Sequence, residues 1–203
     1  MNTIELLRQV GAIITDTHVV YTSGRHGGSY VNKDALYPHT MATSAVCATI
    51  AEQFANAGVE VVAGPTVGGV IMAQWAAHHL SARTGREVLA IYAEEEIVEG
   101  EKQRVFRRGY DALLVGRRTL IVEDILTTGG SARLVVEAAG RQGGEVVGVA
   151  ALCNRGGISA EDLHAPTLFS LSEVPLESYD PADCPLCRAG VPINTSVGKG
   201  GKR

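Results

Sequence analysis

Residues 120–131 read LIVEDILTTGGS: an apolar run, two adjacent carboxylates, two further apolar residues, then a turn of hydroxyls and glycines. Leu120, Ile121 and Val122 have the composition of a buried strand end, and Ser131 opens the helical stretch ARLVVEAAGRQ. The loop between them is therefore expected at the C-terminal edge of a sheet, where α/β proteins bind ligands. Two glycines let backbone approach a ligand closely, and the N–H groups of the loop and helix start, with the hydroxyls of Thr127, Thr128 and Ser131, can donate to phosphate oxygens. Glu123 and Asp124 would repel a phosphate, so they suit ribose hydroxyls or a divalent cation bridging ligand oxygens. The plainer reading is a strand ending in a polar turn, its acids capping the next helix.

The flanking sequence alternates strands and helices. A helix over roughly Thr3 to Gly11 leads into an antiparallel-looking piece with glycines at 24, 27 and 28, which suggests a small covering element. His39 to Ala57 is helical by periodicity, followed by the strand VEVVAG, a glycine turn, and a helix through VIMAQWAAHHLSART. EVLAIYAE, RTLIVED and EVVGVAALCNR are strands, and SARLVVEAAGRQG is a helix. That order calls for an α/β fold with a mainly parallel sheet and right-handed crossovers. The chain past Leu171 holds four of the seven prolines, which argues for an irregular extension. Trp75 falls at core spacing in its helix, and the neighbouring His78 and His79 point in different directions, which disfavours a shared metal.

At 203 residues and 45% hydrophobic content the chain suffices for one domain, with 1–40 as a hood, 41–170 as the core and 171–203 as the extension. A net charge of -4 disfavours a nucleic-acid partner, because polyanion binding relies on clustered Lys and Arg. No apolar run reaches the roughly 18 residues of a membrane span, and the N-terminus is amphipathic, so a cytoplasmic location with no membrane partner is expected. Among the four cysteines, Cys184 and Cys187 form a lone C-x-x-C. No second C-x-x-C or H-x-x-x-H completes a zinc set within one chain, which favours plain structural thiols, ahead of a disulfide or metal site shared between subunits and of catalysis.

Two more turns carry chemistry. Ala63 to Gly69 follows the strand VEVV and offers backbone N–H groups to an anion, or is simply a tight turn. Arg155, at a strand's C-terminal end, could form a bidentate pair with a carboxylate, or lie solvated in a loop.

The segment LIVEDILTTGGS resembles the phosphoribosyl pyrophosphate (PRPP) signature of the type I phosphoribosyltransferases. With TSGRHGGSYVNKD, AGPTVGGVIMAQ, ALCNRGG and DCPLCRAGVPI added, nearly the whole chain is similar to the orotate phosphoribosyltransferase family, in particular a compact bacterial and archaeal branch ending in CPLC. The resemblance implies the type I phosphoribosyltransferase fold and transfer of a phosphoribosyl group from PRPP to orotate, giving orotidine 5'-phosphate and pyrophosphate. It implies Mg2+ as cofactor and a homodimer whose flexible loops reach the partner's active site. Glu123 and Asp124 would then hold the ribose hydroxyls, with Asp124 also at the metal. Thr127, Thr128, Gly129, Gly130 and Ser131 would wrap the 5'-phosphate. Thr66, Val67 and Gly68 would face the pyrophosphate, often through a cis peptide in that family. Arg155, Thr127, Tyr30 and Arg25 would lie at the base.

The sequence departs from the pattern in the stretch YAEEEIVEGEKQRVFRRGY, where the strand EVLAIYAE runs into the flexible loop that the resemblance implies. Glu95 stands where the family's PRPP-binding lysine aligns, and a carboxylate facing pyrophosphate is repulsive without an intervening cation. Lys102 and Arg104 are the candidates to supply the charge and, with Asp124, the catalytic groups. Alternatives are a phosphoribosyltransferase for another base and a PRPP-binding protein without catalysis.

Overall fold

The computed structural model describes residues 3–21, 23–173 and 177–197, and the chain divides into two compact units, Met1–His39 with Val174–Arg203, and Thr40–Glu173. The first unit begins with helix α1 (Thr3–Gln9) and four two-residue strands, β1 (Ile13–Ile14), β2 (Val19–Val20), β3 (His26–Gly27) and β4 (Tyr30–Val31). β1 pairs antiparallel with β4, and β2 with β3. Such short pairings contribute little by themselves.

The second unit runs α2 (Thr40–Gln53), β5 (Val61–Pro65), α3 (Gly68–Thr84), β6 (Leu89–Val98), β7 (Glu101–Val105), β8 (Arg118–Leu126), α4 (Gly130–Arg141), β9 (Glu145–Asn154) and β10 (Leu168–Ser170). The chain then returns to the first unit, where α5 (Pro185–Arg188) forms one short turn of helix. The six strands lie in the order β10-β9-β8-β5-β6-β7, all parallel except the antiparallel edge strand β7. This is the mainly parallel α/β sheet flanked by helices that the alternating pattern predicts.

Central strands β5 and β8 are apolar on successive residues because both faces of the sheet are covered. Val61, Ala63, Ile91, Ile121, Val149 and Ala151 pack in one cluster with Val135, Val136 and Ala139 of α4. The alternating residues Val62, Leu120 and Leu152 point to the opposite face, and are as deeply buried. Burying a side chain of this size contributes roughly 1.5–3 kcal/mol, so the sheet centre is the firmest part of the unit.

Three sequence expectations change. The segment after Glu94, expected as a flexible loop, folds as a β-hairpin of β6 and β7 with a tight turn at Glu99-Gly100. β10 adds an edge strand where none was foreseen. Trp75, expected in the core, is half-buried and stacks on His79 with ring centroids 6.2 Å apart. His79 in turn bonds Ser44 Oγ at 2.9 Å, and His78 is exposed.

The β5–α3 turn owes its shape to a close approach of two glycines. A Cβ on Gly64 would lie 2.6 Å from the Gly69 carbonyl oxygen, and one on Gly69 would lie 2.6 Å from Pro65 Cδ. The exposed helical Gly140, by contrast, has nothing within 4 Å of a would-be Cβ. Gly64→Ala is expected to destabilise by about 2–4 kcal/mol through backbone displacement. Gly140→Ala should stabilise by about 0.5–1 kcal/mol, because alanine restricts the unfolded chain and favours helix. Thermal unfolding of the two variants checks the pair, and equal shifts would show that the turn accommodates a side chain.

Candidate active site

Glu123 and Asp124 lie on β8 near its C-terminal end, and both are buried. Glu123 Oε1 accepts from the Asp124 N–H at 3.0 Å, and Asp124 Oδ1 accepts from the Ile125 N–H at 2.7 Å. Each carboxylate is thereby oriented by backbone, a use for buried acids that solvated caps do not need. Beyond Leu126 the chain turns through exposed Thr127 and Thr128 into Gly129, the left-handed residue (φ 72°) that caps α4. A Cβ there would meet Leu163 Cδ2 at 2.8 Å, so glycine is required by both backbone and packing. Glu123 and residues 125–132 line a cavity of about 260 Å³. The amide groups at the start of α4 add the positive end of the helix dipole, an arrangement that suits an anion.

Arg104 connects this loop to the second glycine turn. It sits on β7, is only 5% exposed, and donates from Nη1 to Thr66 Oγ1 at 3.2 Å and from Nη2 to Ser131 Oγ at 2.8 Å. Because both hydroxyl oxygens accept from arginine, their own protons are directed elsewhere, and both residues are exposed. Arg104 Nε is buried without a hydrogen-bond partner. The Thr66-Val67 peptide is cis, and the Thr66 N–H donates to the Ala93 carbonyl at 3.2 Å, holding the turn against β6. Val67 is exposed, while Gly68 starts α3.

The third turn lies beside the first. Arg155 N–H and Gly156 N–H both donate to the Leu126 carbonyl, at 3.0 and 3.1 Å, so half-buried Arg155 follows directly on the residues flanking Thr127. Asn154 clamps this turn through its side chain, donating to the Ile158 carbonyl at 2.8 Å and accepting from the Ile158 N–H at 3.0 Å. Asn154 had no assigned role in the sequence, although Asn at a strand end followed by Arg-Gly-Gly is a recognisable side-chain turn. Thus Glu123, Asp124, Thr127 to Ser131, Thr66, Arg104 and Arg155 come together within the second unit. Arg25 and Tyr30 belong to the first unit. There the exposed Arg25 donates from Nε to Ser178 Oγ at 2.9 Å and from Nη2 to the Ser178 carbonyl at 2.7 Å, and Tyr30 is half-buried on β4.

Glu95, expected as an unfavourable charge, is paired twice. Its carboxylate lies 3.0 Å from Lys102 Nζ and 3.4 Å from Arg104 Nη2. It stands directly across the hairpin from Arg104. Lys102 and Arg104, the candidates to supply positive charge beside Glu95, are therefore the two cations paired with it. The hydrogen bond and charge of Lys102 hold the Glu95 carboxyl below the usual glutamate range, with Arg104 adding a smaller effect in the same direction. Since the folded-state midpoint is the lower one, the stabilisation is complete above the unfolded midpoint and is lost as pH falls through the folded one. Carbon-13 NMR titration should give a Glu95 midpoint below that of a free glutamate, rising in Lys102→Ala. An unchanged midpoint in that variant would remove the pair.

Comparison with known proteins agrees with this geometry. The phosphoribosyl transferase domain family model matches residues 32–177. An orotate phosphoribosyltransferase of Desulforamulus reducens is 35% identical over 190 residues, covering 93% of this chain and 92% of that protein. The crystal structure of Mycobacterium tuberculosis H37Rv orotate phosphoribosyltransferase with Fe(III) dicitrate superposes with a TM-score of 0.66 at 27% identity, over 86% of this chain and 97% of that one. The same enzyme in complex with PRPP gives a TM-score of 0.63 at 28% identity, over 85% and 96%. The two glycine turns, the buried acid pair and these relatives lead to one assignment: the chain belongs to the phosphoribosyltransferase family, among the orotate phosphoribosyltransferases.

Proposed function

We propose that the chain transfers the phosphoribosyl group of PRPP to orotate, releasing pyrophosphate and forming orotidine 5'-phosphate. The observation that carries this reading is the buried pair Glu123 and Asp124 leading into the cavity walled by Thr127 to Ser131. In this reading the acids accept from the ribose hydroxyls, while Thr127, Thr128, Gly129, Gly130 and Ser131 surround the 5'-phosphate. Thr66, Val67 and Gly68 face the pyrophosphate. Arg104 holds Thr66 and Ser131 at a fixed separation and brings positive charge to the same corner.

Hard carboxylate oxygens at Glu123 and Asp124 suit Mg2+, with Asp124 the residue proposed to hold it. When bound, Mg2+ would supply charge neutralisation for the departing pyrophosphate. The remaining chemistry rests on the chain. Cleavage at the anomeric carbon creates oxocarbenium character beside Asp124 and negative charge on the leaving group, and fixed charges and dipoles stabilise both. Lys102, two-thirds exposed on the hairpin, is the cation able to move onto pyrophosphate, whereas Arg104 is already anchored. Arg155 is proposed to pair with the orotate carboxylate, with Thr127 beside the pyrimidine. A cytoplasmic homodimer with shared active-site loops accompanies this reading, from the family resemblance.

The test is pyrophosphate release from PRPP and Mg2+ with orotate, uracil, hypoxanthine, guanine or xanthine in parallel. Orotate alone should support turnover. Release with a different base would transfer the assignment to that base, and release with none would leave PRPP binding without catalysis. Arg155→Ala should raise the orotate KM at least about tenfold, roughly 1.4 kcal/mol of lost contact, with little change in the PRPP KM. Equal effects on both substrates would remove Arg155 from base recognition.

A further inference from the structure

The lone C-x-x-C has partners within its own chain. His18, His26, Cys184 and Cys187 each direct one donor atom into a common space, all four atoms within 4.8 Å of one another. His18 Nε2 is 2.9 Å from His26 Nδ1 and 3.7 Å from both sulfurs, and Cys187 Sγ is 3.3 Å from His26 Nδ1. A tetrahedral zinc with Zn–S about 2.3 Å and Zn–N about 2.0 Å has S–N edges of about 3.6 Å and N–N edges of about 3.3 Å. The observed S–N edges, 3.3 to 3.7 Å, bracket the first value, and the single N–N edge, 2.9 Å, is shorter than the second. Neither cysteine is in a disulfide.

The protein also fixes the histidine that sits at the centre of this set. His18 Nδ1 lies 2.7 Å from the Val191 carbonyl, an oxygen that can only accept, so the ring proton is on Nδ1 and the Nε2 lone pair faces the sulfurs. His18, His26 and Cys184 are buried, which removes water as their alternative partner. Cys184 caps α5 and Cys187 lies within it, so one short helical turn presents both thiols on the same side. The two histidines come from the hairpin of β2 and β3. Backbone bonds already align these pieces, since His26 and Tyr179 exchange N–H···O bonds at 2.9 and 2.8 Å and the Asn194 N–H donates to the His18 carbonyl at 2.7 Å.

We propose that His18, His26, Cys184 and Cys187 form a structural Zn2+ site that fastens the C-terminal segment to the N-terminal hairpin. Two sulfur and two imidazole donors in a tetrahedral set select zinc over the oxygen-seeking Mg2+. Four protein ligands leave no position for a water or substrate, so the ion has a structural and not a catalytic part. The first unit has need of one. Its strands are two residues long, and small units of this kind are commonly held by metals or disulfides. This set lies within one chain, whereas the sequence alone suggests plain structural thiols, or a disulfide or metal shared between subunits. The signal missed in the sequence was a pair of histidines eight residues apart, facing each other across a hairpin instead of along a helix.

The test uses the full chain without a histidine tag, purified under reducing conditions without chelator. Elemental analysis should find about one zinc per chain, and Cys184→Ser with Cys187→Ser should abolish it. Should that variant fail to fold, the wild-type chain still decides. Its zinc is removed with a chelator, which should lower the melting temperature, and Co2+ is then added. Intense visible absorption with thiolate-to-cobalt charge transfer is expected, together with recovery of the melting temperature. A chain lacking stoichiometric zinc that gives no such Co2+ spectrum would overturn the site. So would zinc retained in full by the folded double variant, or a Cys184–Cys187 disulfide in the chain as purified.

Discussion

A guanidinium stays charged at any accessible pH and loses several kcal/mol of hydration when buried, so Arg104 must be surrounded by acceptors. Its two terminal nitrogens meet the hydroxyl of Thr66, the hydroxyl of Ser131 and the carboxylate of Glu95, while Nε has no hydrogen-bond partner. The three come from the turn after β5, the first turn of α4 and the strand opposite β7. One buried charge therefore ties both glycine turns to the edge hairpin. Slipping the hairpin by one residue would turn Arg104 to the opposite face of the sheet and leave both hydroxyls without their donor. The hairpin register, fixed by the pairing of Glu95 with Arg104, is thus a condition for the geometry of the site.

The core of the fold was legible because both sheet faces are covered. Near-continuous apolar runs at Val61–Ala63 and Leu120–Val122, separated by helical periodicity, admit few arrangements other than a parallel sheet. The signature loop was legible for a related reason, since a glycine needed for a left-handed cap and hydroxyls at a helix start are local chemistry. β7 was not, because Glu-Lys-Gln-Arg-Val at a sheet edge is written in charges that pair across strands, and no hydrophobic alternation announces it. The pairing of Glu95 was hidden for the same reason. Its partners are seven and nine residues away, in contact only once the hairpin has formed.

The histidines of the first unit show the same limit. Spacing rules for metal sites describe ligands brought together by one helix or one turn, whereas His18 and His26 meet across a hairpin and face cysteines more than 150 residues further along. Cys47, in contrast, is what an isolated cysteine in an apolar helix suggests: burial pushes its thiol up to about 12, so it packs as an inert hydrophobe.

The account depends most directly on the two acids at the end of β8 accepting from PRPP. Calorimetric titration of PRPP with Mg2+ into the full chain and into Glu123→Gln with Asp124→Asn tests that dependence, with thermal melting to confirm that the variant is folded. The account predicts a loss of affinity of at least about tenfold, near 1.4 kcal/mol, as amides replace acceptors with donors at the ribose hydroxyls. Undiminished PRPP affinity in a folded variant would contradict it, and would reduce the pair to structural acceptors of the Asp124 and Ile125 amides.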